Sequence, residues 1–536
     1  QGIEKLNEKY RTSISDIFFL FHRPRRFNPH DQIWMGYERK RGKLAELNSF
    51  LRGGSRECFS LIVGNTNALE KVKYIITLDT DTQLPRDAAR QLIGAMAHPL
   101  NRPQYDDHRQ RVCAGYGILQ PRVAVSLPGA NRSQYARMWG SDAGIDPYTR
   151  VISDVYQDLF EEGSFIGKGI YEIDAFERAL RGRFPENRIL SHDLIEGCYA
   201  RAGLLSDVQL YEDYPSRYSA DVSRRHRWIR GDWQLLRWLL PMVPSPNASF
   251  QTNPLSMLSR WKIFDNLRRS LSPLALTLLL LFGWTVLPAP WLWTLAVLGI
   301  TLLPSLVSTT LDHFQKPVDV LFHRHIFAAF RETGRSLGQI IFTLLCLPYE
   351  AYFSIDAVIR TIWRMLAGKK RLLEWNPSGD SDSTSRKGFT GVCRTMWVSP
   401  AIAVVTTSHL VFSRPETLAI ALPVLSLWFI SPVIAWWISE PLKPRQVRLS
   451  PDQIKFLRKI SRKTWGFFET FVTLEENWLP PDNFQEHPLA KIAHRTSPTN
   501  MGLALLANLS AWDFGYISAG QLTDRTANAF RTMKVM

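Results

Sequence analysis

Four apolar stretches, 271–287, 291–309, 395–412 and 417–438, constrain this chain more than any other feature. Each has about the 20 residues that a helix needs to cross the hydrocarbon of a bilayer. The alternative for each is a buried core helix. They come as two pairs, one split by Pro288-Ala289-Pro290 and the other by Ser413-Arg414-Pro415-Glu416. Trp284, Trp291, Trp293, Trp397, Trp436 and Trp437 gather at the ends of the stretches, as interfacial belts do. A fifth stretch, 337–355, is interrupted by Pro348-Tyr349-Glu350. An unpaired glutamate inside a span is costly, so this stretch is expected to be interfacial or partly re-entrant. Arg268 and Arg269 precede the first pair, and Arg360, Arg364, Lys369, Lys370 and Arg371 lie between the pairs. Lys443, Arg445, Arg448, Lys455, Arg458 and Lys459 follow the last stretch, and the links within pairs carry only Arg414. Basic residues stay on the cytoplasmic side, which predicts four crossings with all the polar parts cytoplasmic.

Three regions follow: 1–245, 246–445 and 446–536. The first reads as α/β. Strands are expected at 59–63, 74–78 and 117–120, and helices at 86–97 and 175–181. In the last region 464–475 has helical periodicity, 477–494 is a Pro-rich loop, and Ser497-Pro498-Thr499-Asn500 is a helix start. The chain does not begin with Met and both ends read as cut, so a larger protein is expected. The net charge of +16 admits nucleic acid, an anionic membrane face or phosphorylated substrates as partners. The 18 tryptophans and the apolar stretches favour the membrane. The five cysteines have no paired spacing, which argues against a zinc site or a disulfide framework.

The chemistry-bearing pattern begins with a short apolar run from Lys73 to Leu78 that ends in Asp79-Thr80-Asp81. Strand ends in open α/β sheets are where ligands bind. Two carboxylates there are hard oxygen ligands suited to Mg²⁺ or Mn²⁺, and such an ion can hold a diphosphate. Chance is the competing explanation. A second such pair, Asp380-Ser381-Asp382, has no strand before it and reads as a solvated loop. Gly163, Gly167 and Gly169 form a Gly-rich turn that would let backbone approach a ligand. Asp193 follows Ser191-His192 and reads either as a metal ligand or base, or as a helix cap. In 224–234 four arginines interleave with Trp228 and Trp233, a pattern that clamps phosphates and stacks on a sugar or base. An amphipathic helix drawn to anionic lipid is the alternative there. The basic segment 36–44 is either a solvated helix face or a phosphate-facing element, with Gly42 allowing close approach.

The order Asp-x-Asp, Gly-rich turn, acidic residue, Arg-x-x-Arg-Trp and then apolar spans resembles the processive, membrane-bound inverting glycosyltransferases with a GT-A fold, such as cellulose synthases. In that family Asp-x-Asp holds the metal and nucleotide diphosphate, a Thr-Glu-Asp motif supplies the base, and Gln-x-x-Arg-Trp lines the acceptor and diphosphate site. Here Ser191-His192 replaces Thr-Glu and Arg224 stands in the place of Gln. Phe-His-Arg-Pro-Arg-Arg (21–26), Trp-Met-Gly-Tyr-Glu-Arg-Lys-Arg-Gly-Lys-Leu (34–44), Thr-Leu-Asp-Thr-Asp-Thr-Gln-Leu-Pro (77–85) and His-Arg-Trp-Ile-Arg-Gly-Asp-Trp-Gln (226–234) resemble the cyclic β-1,2-glucan synthases. The stretches 463–469 and 495–503 resemble the start of that family's glycoamylase-like domain.

The resemblance implies an α/β GT-A-like glycosyltransferase domain, an α-helical transmembrane region and the start of an α-helical (α/α) glycoamylase-like domain. It implies transfer of glucose from UDP-glucose to a growing β-1,2-glucan, in a bacterial-type inner membrane, alongside further domains of the same chain. Asp79 and Asp81 would hold Mg²⁺ or Mn²⁺, and Asp193 would be the base. Arg227 and Arg230 would meet the diphosphate, Trp228 would stack on the acceptor sugar, and Lys40 and Lys43 would contact the nucleotide. The chain would be primed on a tyrosine, for which Tyr10, among polar neighbours, is the choice. Three other readings remain: a linear-polysaccharide synthase, a membrane-tethered nucleic-acid-binding module, and a transporter. No nucleic-acid partner is expected.

Overall fold

The computed structural model describes residues 1–10, 16–140, 154–246, 249–314, 322–368, 370–374, 388–442 and 449–536. Asp380, Asp382, Lys369, Lys443, Arg445 and Arg448 lie outside them. The chain divides into two compact units, Gln1–Leu442 and Lys443–Met536.

The centre of the first unit is a four-stranded mixed sheet. Its strands are β1 (Tyr74–Thr77), β2 (Ile118–Val125), β3 (Gly169–Glu172) and β4 (Ala202–Glu212), in the order β4-β2-β3-β1. β4 and β2 are parallel, and the other two pairings are antiparallel. This register brings the C-terminal ends of β1, β2 and β4 and the N-terminal end of β3 to one edge. The expected strand at 74–78 is β1. The one expected at 59–63 is shorter, Leu61–Val63, and pairs with Leu20–His22 outside the central sheet. The strand expected to stop at residue 120 continues through Pro121. Proline cannot donate to a ladder, but the pairing is interrupted there by a bulge between Leu205 and Gln209, so no Pro121 N–H is needed.

Helices α1 (Arg39–Leu51), α2 (Ala88–Ala97), α3 (Ile173–Leu180), α4 (Asp193–Ala200) and α5 (Tyr218–Gln234) surround the sheet. Tyr171, Ile173, Phe176, Ile195, Tyr199 and Trp238 share one buried core. Gly42 in α1 has a different use from the one its sequence allowed. A Cβ there would lie 2.1 Å from the Tyr37 carbonyl oxygen, so the space serves the chain's own backbone and not a phosphate.

The helical region follows with α6 (Met257–Thr285), α7 (Pro290–Phe314), α8 (Phe322–Trp363), α9 (Phe389–Thr395), α10 (Val398–Ser413) and α11 (Leu418–Ser439). Among the described residues, two helical stretches are long and apolar enough to cross a membrane, Phe330–Gly368 and Pro415–Ser439. The pair α9–α10, bent by 60°, makes a third if it is one span. The run 271–287 falls in the second half of α6 and its break, and the apolar part of α7 is Pro290–Pro304. Trp284 is not part of an interfacial belt. It is fully buried, its ring 5.6 Å from that of Trp428, and its indole N–H donates to Thr294 Oγ1 at 2.9 Å. A partner for the polar tip is what lets an indole enter a core.

The fifth stretch is continuous within α8, and its glutamate is paired. Glu350 Oε1 accepts from Arg225 of α5 at 2.9 Å. Gln339 donates to the Met138 carbonyl, Phe342 packs on Tyr135 and Tyr218, and His226 meets Asp356 at 2.9 Å. Residues 339–356 of α8 thus run along the α/β layer, about 25 Å at 1.5 Å per residue.

The first half of α6 also packs on the sheet. Lys262 is 1% exposed and donates to Glu162 Oε1 at 3.2 Å and to the Glu162 and Gly163 carbonyls at 3.0 and 2.8 Å. Removing one partner of a buried ion pair leaves an uncompensated charge and costs about 3–5 kcal/mol. Lys262→Met is expected to lower stability by that amount, read as a lower unfolding midpoint of the detergent-solubilised chain. An unchanged midpoint would show that the pair is dispensable.

In the second unit, α12 (Pro451–Phe471) opens with a Ser450/Gln453 capping box, and α13 (Pro498–Asp513) starts at Ser497, which caps it. α14 (Ala519–Val535) places the Arg525 guanidinium 5.2 Å from the Trp465 ring and 5.9 Å from that of Trp478.

Candidate active site

β1 ends at Thr77 because the chain turns through Asp79 and Asp81. Thr82 N donates to the Asp79 carbonyl at 3.2 Å, and Gln83 then pairs with Tyr211 at the end of β4. That crossing sets Asp79 and Asp81 beside Glu212. One carboxylate oxygen from each of the three lies within 4.8 Å of the others. Thr82 Oγ1 fixes Glu212 by donating to its Oε1 at 2.5 Å.

Two lysines hold the cluster. Lys168, immediately before β3, has Nζ 2.7 Å from Glu212 Oε1 and 3.4 Å from Asp79 Oδ2. Lys40 of α1 donates to Asp79 Oδ1 at 2.5 Å and to the Gly167 carbonyl at 2.6 Å. Burial disfavours the ionised Asp79, but Lys168 and Lys40 outweigh it and hold its carboxyl below the ordinary range. Asp79 is therefore a carboxylate at neutral pH. Three hard oxygen donors at this spacing fit Mg²⁺ or Mn²⁺ and not a soft metal.

Asp193 adjoins the cluster through Gly167. A Cβ at Gly167, which has φ of +89°, would fall 2.6 Å from Asp193 Oδ1. Asp193 is the first residue of α4, and the capping position is His192, whose side chain makes no cap bond. Asp193 Oδ1 is buried and accepts no hydrogen bond among the described residues. This geometry differs from that of a capping side chain. His192 Nδ1 lies 2.9 Å from Glu196 Oε2 and 3.4 Å from Asp193 Oδ1. Burial lowers the His192 pKa, but the carboxylates of Glu196 and Asp193 outweigh burial and raise it overall. Gly167→Ala is expected to cost about 1–3 kcal/mol of backbone strain and to displace Asp193. Turnover should fall by more than the loss of stability explains. Normal turnover would show that the contact is incidental.

Helix α5 covers this edge. Gly231 lies against Ser191, where a Cβ would come within 2.3 Å of the serine Cβ. Burial and the neighbouring Arg224 lower the Arg227 pKa overall, while Asp79 and Asp81 act on it in the opposite direction. Trp228 is half-buried beneath the Arg224 guanidinium, 4.8 Å from its ring. Arg224 and Arg225 pair with Asp221 at 2.7 and 3.0 Å. Arg230 donates to the Glu374 carbonyl at 2.6 Å. Gln234 donates to the Leu372 carbonyl at 3.0 Å and accepts from Leu190 N at 2.7 Å.

The structure thus gathers Asp79, Asp81, Lys40, Arg227 and Asp193 at one edge. Lys43 is exposed one turn along α1 from Lys40. Tyr10 ends a separate short helix, Gly2–Tyr10, with Lys9 over its ring and Phe18 against it. Glu212 and Lys168 were not found from sequence. The only signals were an acid closing an alternating strand and a lysine inside the Gly-rich turn.

An α/β domain with a hard-ligand oxygen cluster at its sheet edge, followed by apolar helices of bilayer length, defines a membrane-associated protein with a candidate divalent-metal centre. No family model matches the chain. Over its whole length the chain is 41% identical to the cyclic β-(1,2)-glucan synthase NdvB of Rhizobium meliloti (strain 1021), and it spans 19% of that protein's length. The resemblance carried by the short motifs is therefore a match along the entire chain to one part of a much longer glucan synthase.

Proposed function

We propose that this chain is the membrane-held glucosyltransferase part of a cyclic β-1,2-glucan synthase, with UDP-glucose as donor. The observation that supports this reading best is a continuous set of contacts. Asp79 meets Lys40, Lys40 meets the Gly167 carbonyl, and Gly167 abuts Asp193. A diphosphate-binding group and a base are thereby both held against one glycine. Mg²⁺ or Mn²⁺ on Asp79 and Asp81, with Glu212, would supply charge neutralisation for a departing diphosphate. Asp193 takes the proton from O2 of the acceptor glucose as that oxygen bonds to C1 of the donor and the C1–O bond to the diphosphate breaks. A single in-line displacement converts the α-linked donor into a β-linked product. Arg227 adds positive charge beside the diphosphate. Arg230, bonded to residue 374, serves in this reading to hold the 370–374 segment against α5. Trp228 forms the acceptor platform, and Lys43 extends the basic face toward the nucleotide. Tyr10, exposed at the end of its helix, is the proposed priming residue. The proposed divisions are a GT-A-like domain at 1–245, a membrane region at 246–445 and the start of a glycoamylase-like domain at 446–536, with the polar parts cytoplasmic.

The test is incorporation of label from UDP-glucose, UDP-galactose and UDP-GlcNAc by membranes carrying the chain. Incorporation from UDP-glucose alone is expected, and it should require a divalent cation. Equal use of another donor, or salt-dependent nucleic-acid binding without UDP-glucose binding, would replace the reading.

A further inference from the structure

A cleft of about 960 Å³ opens where α11 meets the α/β layer. One wall is the start of α8, which presents His323, Phe327, Arg331 and Arg335 at four-residue spacing, hence on one face. Opposite are Arg137 and Met138 of the helix Gln134–Trp139, and Trp437 at the end of α11. Gln339 ties the two walls together through the Met138 carbonyl at 2.8 Å. Glu332 also lines the cleft and pairs with Arg335. Among the described lining residues three arginines stand against one glutamate, an excess of positive charge. Phe327 and Trp437 are 74% and 65% exposed.

We infer that this cleft holds the headgroup of an anionic phospholipid. This rests on the membrane reading of α11. That helix ends at Ser439, whose Oγ accepts from Tyr218 N at 3.1 Å, so its last turn lies at the α/β layer. A span that ends there sets Trp437 at headgroup level, where tryptophans settle. Basic pockets at that depth bind anionic headgroups through phosphate–guanidinium pairs. The exposed Phe327 and Trp437 rings suit the glycerol and upper acyl region, which distinguishes a lipid from free phosphate. Phe330 and Leu337, also exposed on α8, continue that apolar surface.

The chain would be reconstituted into nanodiscs of phosphatidylcholine mixed with phosphatidylglycerol, re-extracted in detergent, and its retained lipid measured by mass spectrometry. Phosphatidylglycerol should be enriched over phosphatidylcholine. Arg331→Gln with Arg335→Gln should reduce the enrichment about 25-fold, since each basic group contributes about 1 kcal/mol, or about fivefold. High salt should erase the preference in the unaltered chain, a result that needs no variant to fold. Equal retention of the two lipids, enrichment unmoved by salt or by the double variant, displacement by inorganic phosphate, or a bound oligosaccharide in place of lipid would overturn the inference. Release of the chain from washed membranes without detergent would overturn the membrane reading itself, an outcome distinct from equal retention.

Discussion

Asp79→Ala should abolish measurable transfer from UDP-glucose, a fall on the order of 10³-fold. A metal ion's stabilisation of developing charge is worth several kcal/mol, and each 1.4 kcal/mol is a tenfold change. Asp79 is the residue on which Lys40 and Lys168 converge and the carboxylate nearest the end of β1. Its removal would take away the proposed metal ligand and leave Lys40 without its carboxylate partner, while Lys168 keeps Glu212. Asp79→Asn also removes the charge but keeps the side-chain shape, so it distinguishes loss of the carboxylate from a packing defect. Initial rates across a Mg²⁺ or Mn²⁺ series, with UDP binding measured in parallel, check the expectation. Both variants should lose turnover and metal-dependent UDP binding together. Near-normal turnover with unchanged metal dependence in either would make the carboxylate structural.

Asp193→Asn should lower the rate by about 10²–10⁴-fold, the usual worth of a positioned general base. The amide fills the same space against Gly167 and His192, so the site's shape should be kept. Affinity for UDP-glucose should change little, because the contacts assigned to the donor lie on Asp79, Lys40 and Arg227. Rates and donor binding on the same preparation distinguish loss of the base from loss of the site. Elongation close to the parent rate would leave Asp193 with a packing role only.

What was legible in the sequence was local. The β-branched run before Asp79 reads as a strand from its own composition, and β1 is that strand. The arginine-rich segment reads as a phosphate clamp with an amphipathic helix as the alternative, and it lies in the helix α5. What was not legible depends on sheet order. Glu212 joins Asp79 and Asp81 only because β4 lies at the opposite edge of the sheet and Gln83 crosses to Tyr211. No spacing along the chain encodes that meeting. Gly167 looked like a turn glycine, yet its missing Cβ is the space into which Asp193 fits. Glu350 looked like a costly unpaired charge, because its partner Arg225 lies 125 residues away. Trp284 looked like a belt residue until the Thr294 hydroxyl supplied its hydrogen bond. The stretch 337–355 looked interrupted, but α8 runs through Pro348 without a break.

The measurement that bears most directly on the proposed activity is the linkage and anomeric configuration of the product. Membranes carrying this chain would be supplied with labelled UDP-glucose and divalent cation, and the labelled material examined by methylation analysis and NMR. The expected product carries 2-linked β-glucosyl residues, absent when Asp193 is asparagine. A 4-linked product, an α-anomer, or 2-linked β-glucan made equally well by the Asp193→Asn chain would contradict it.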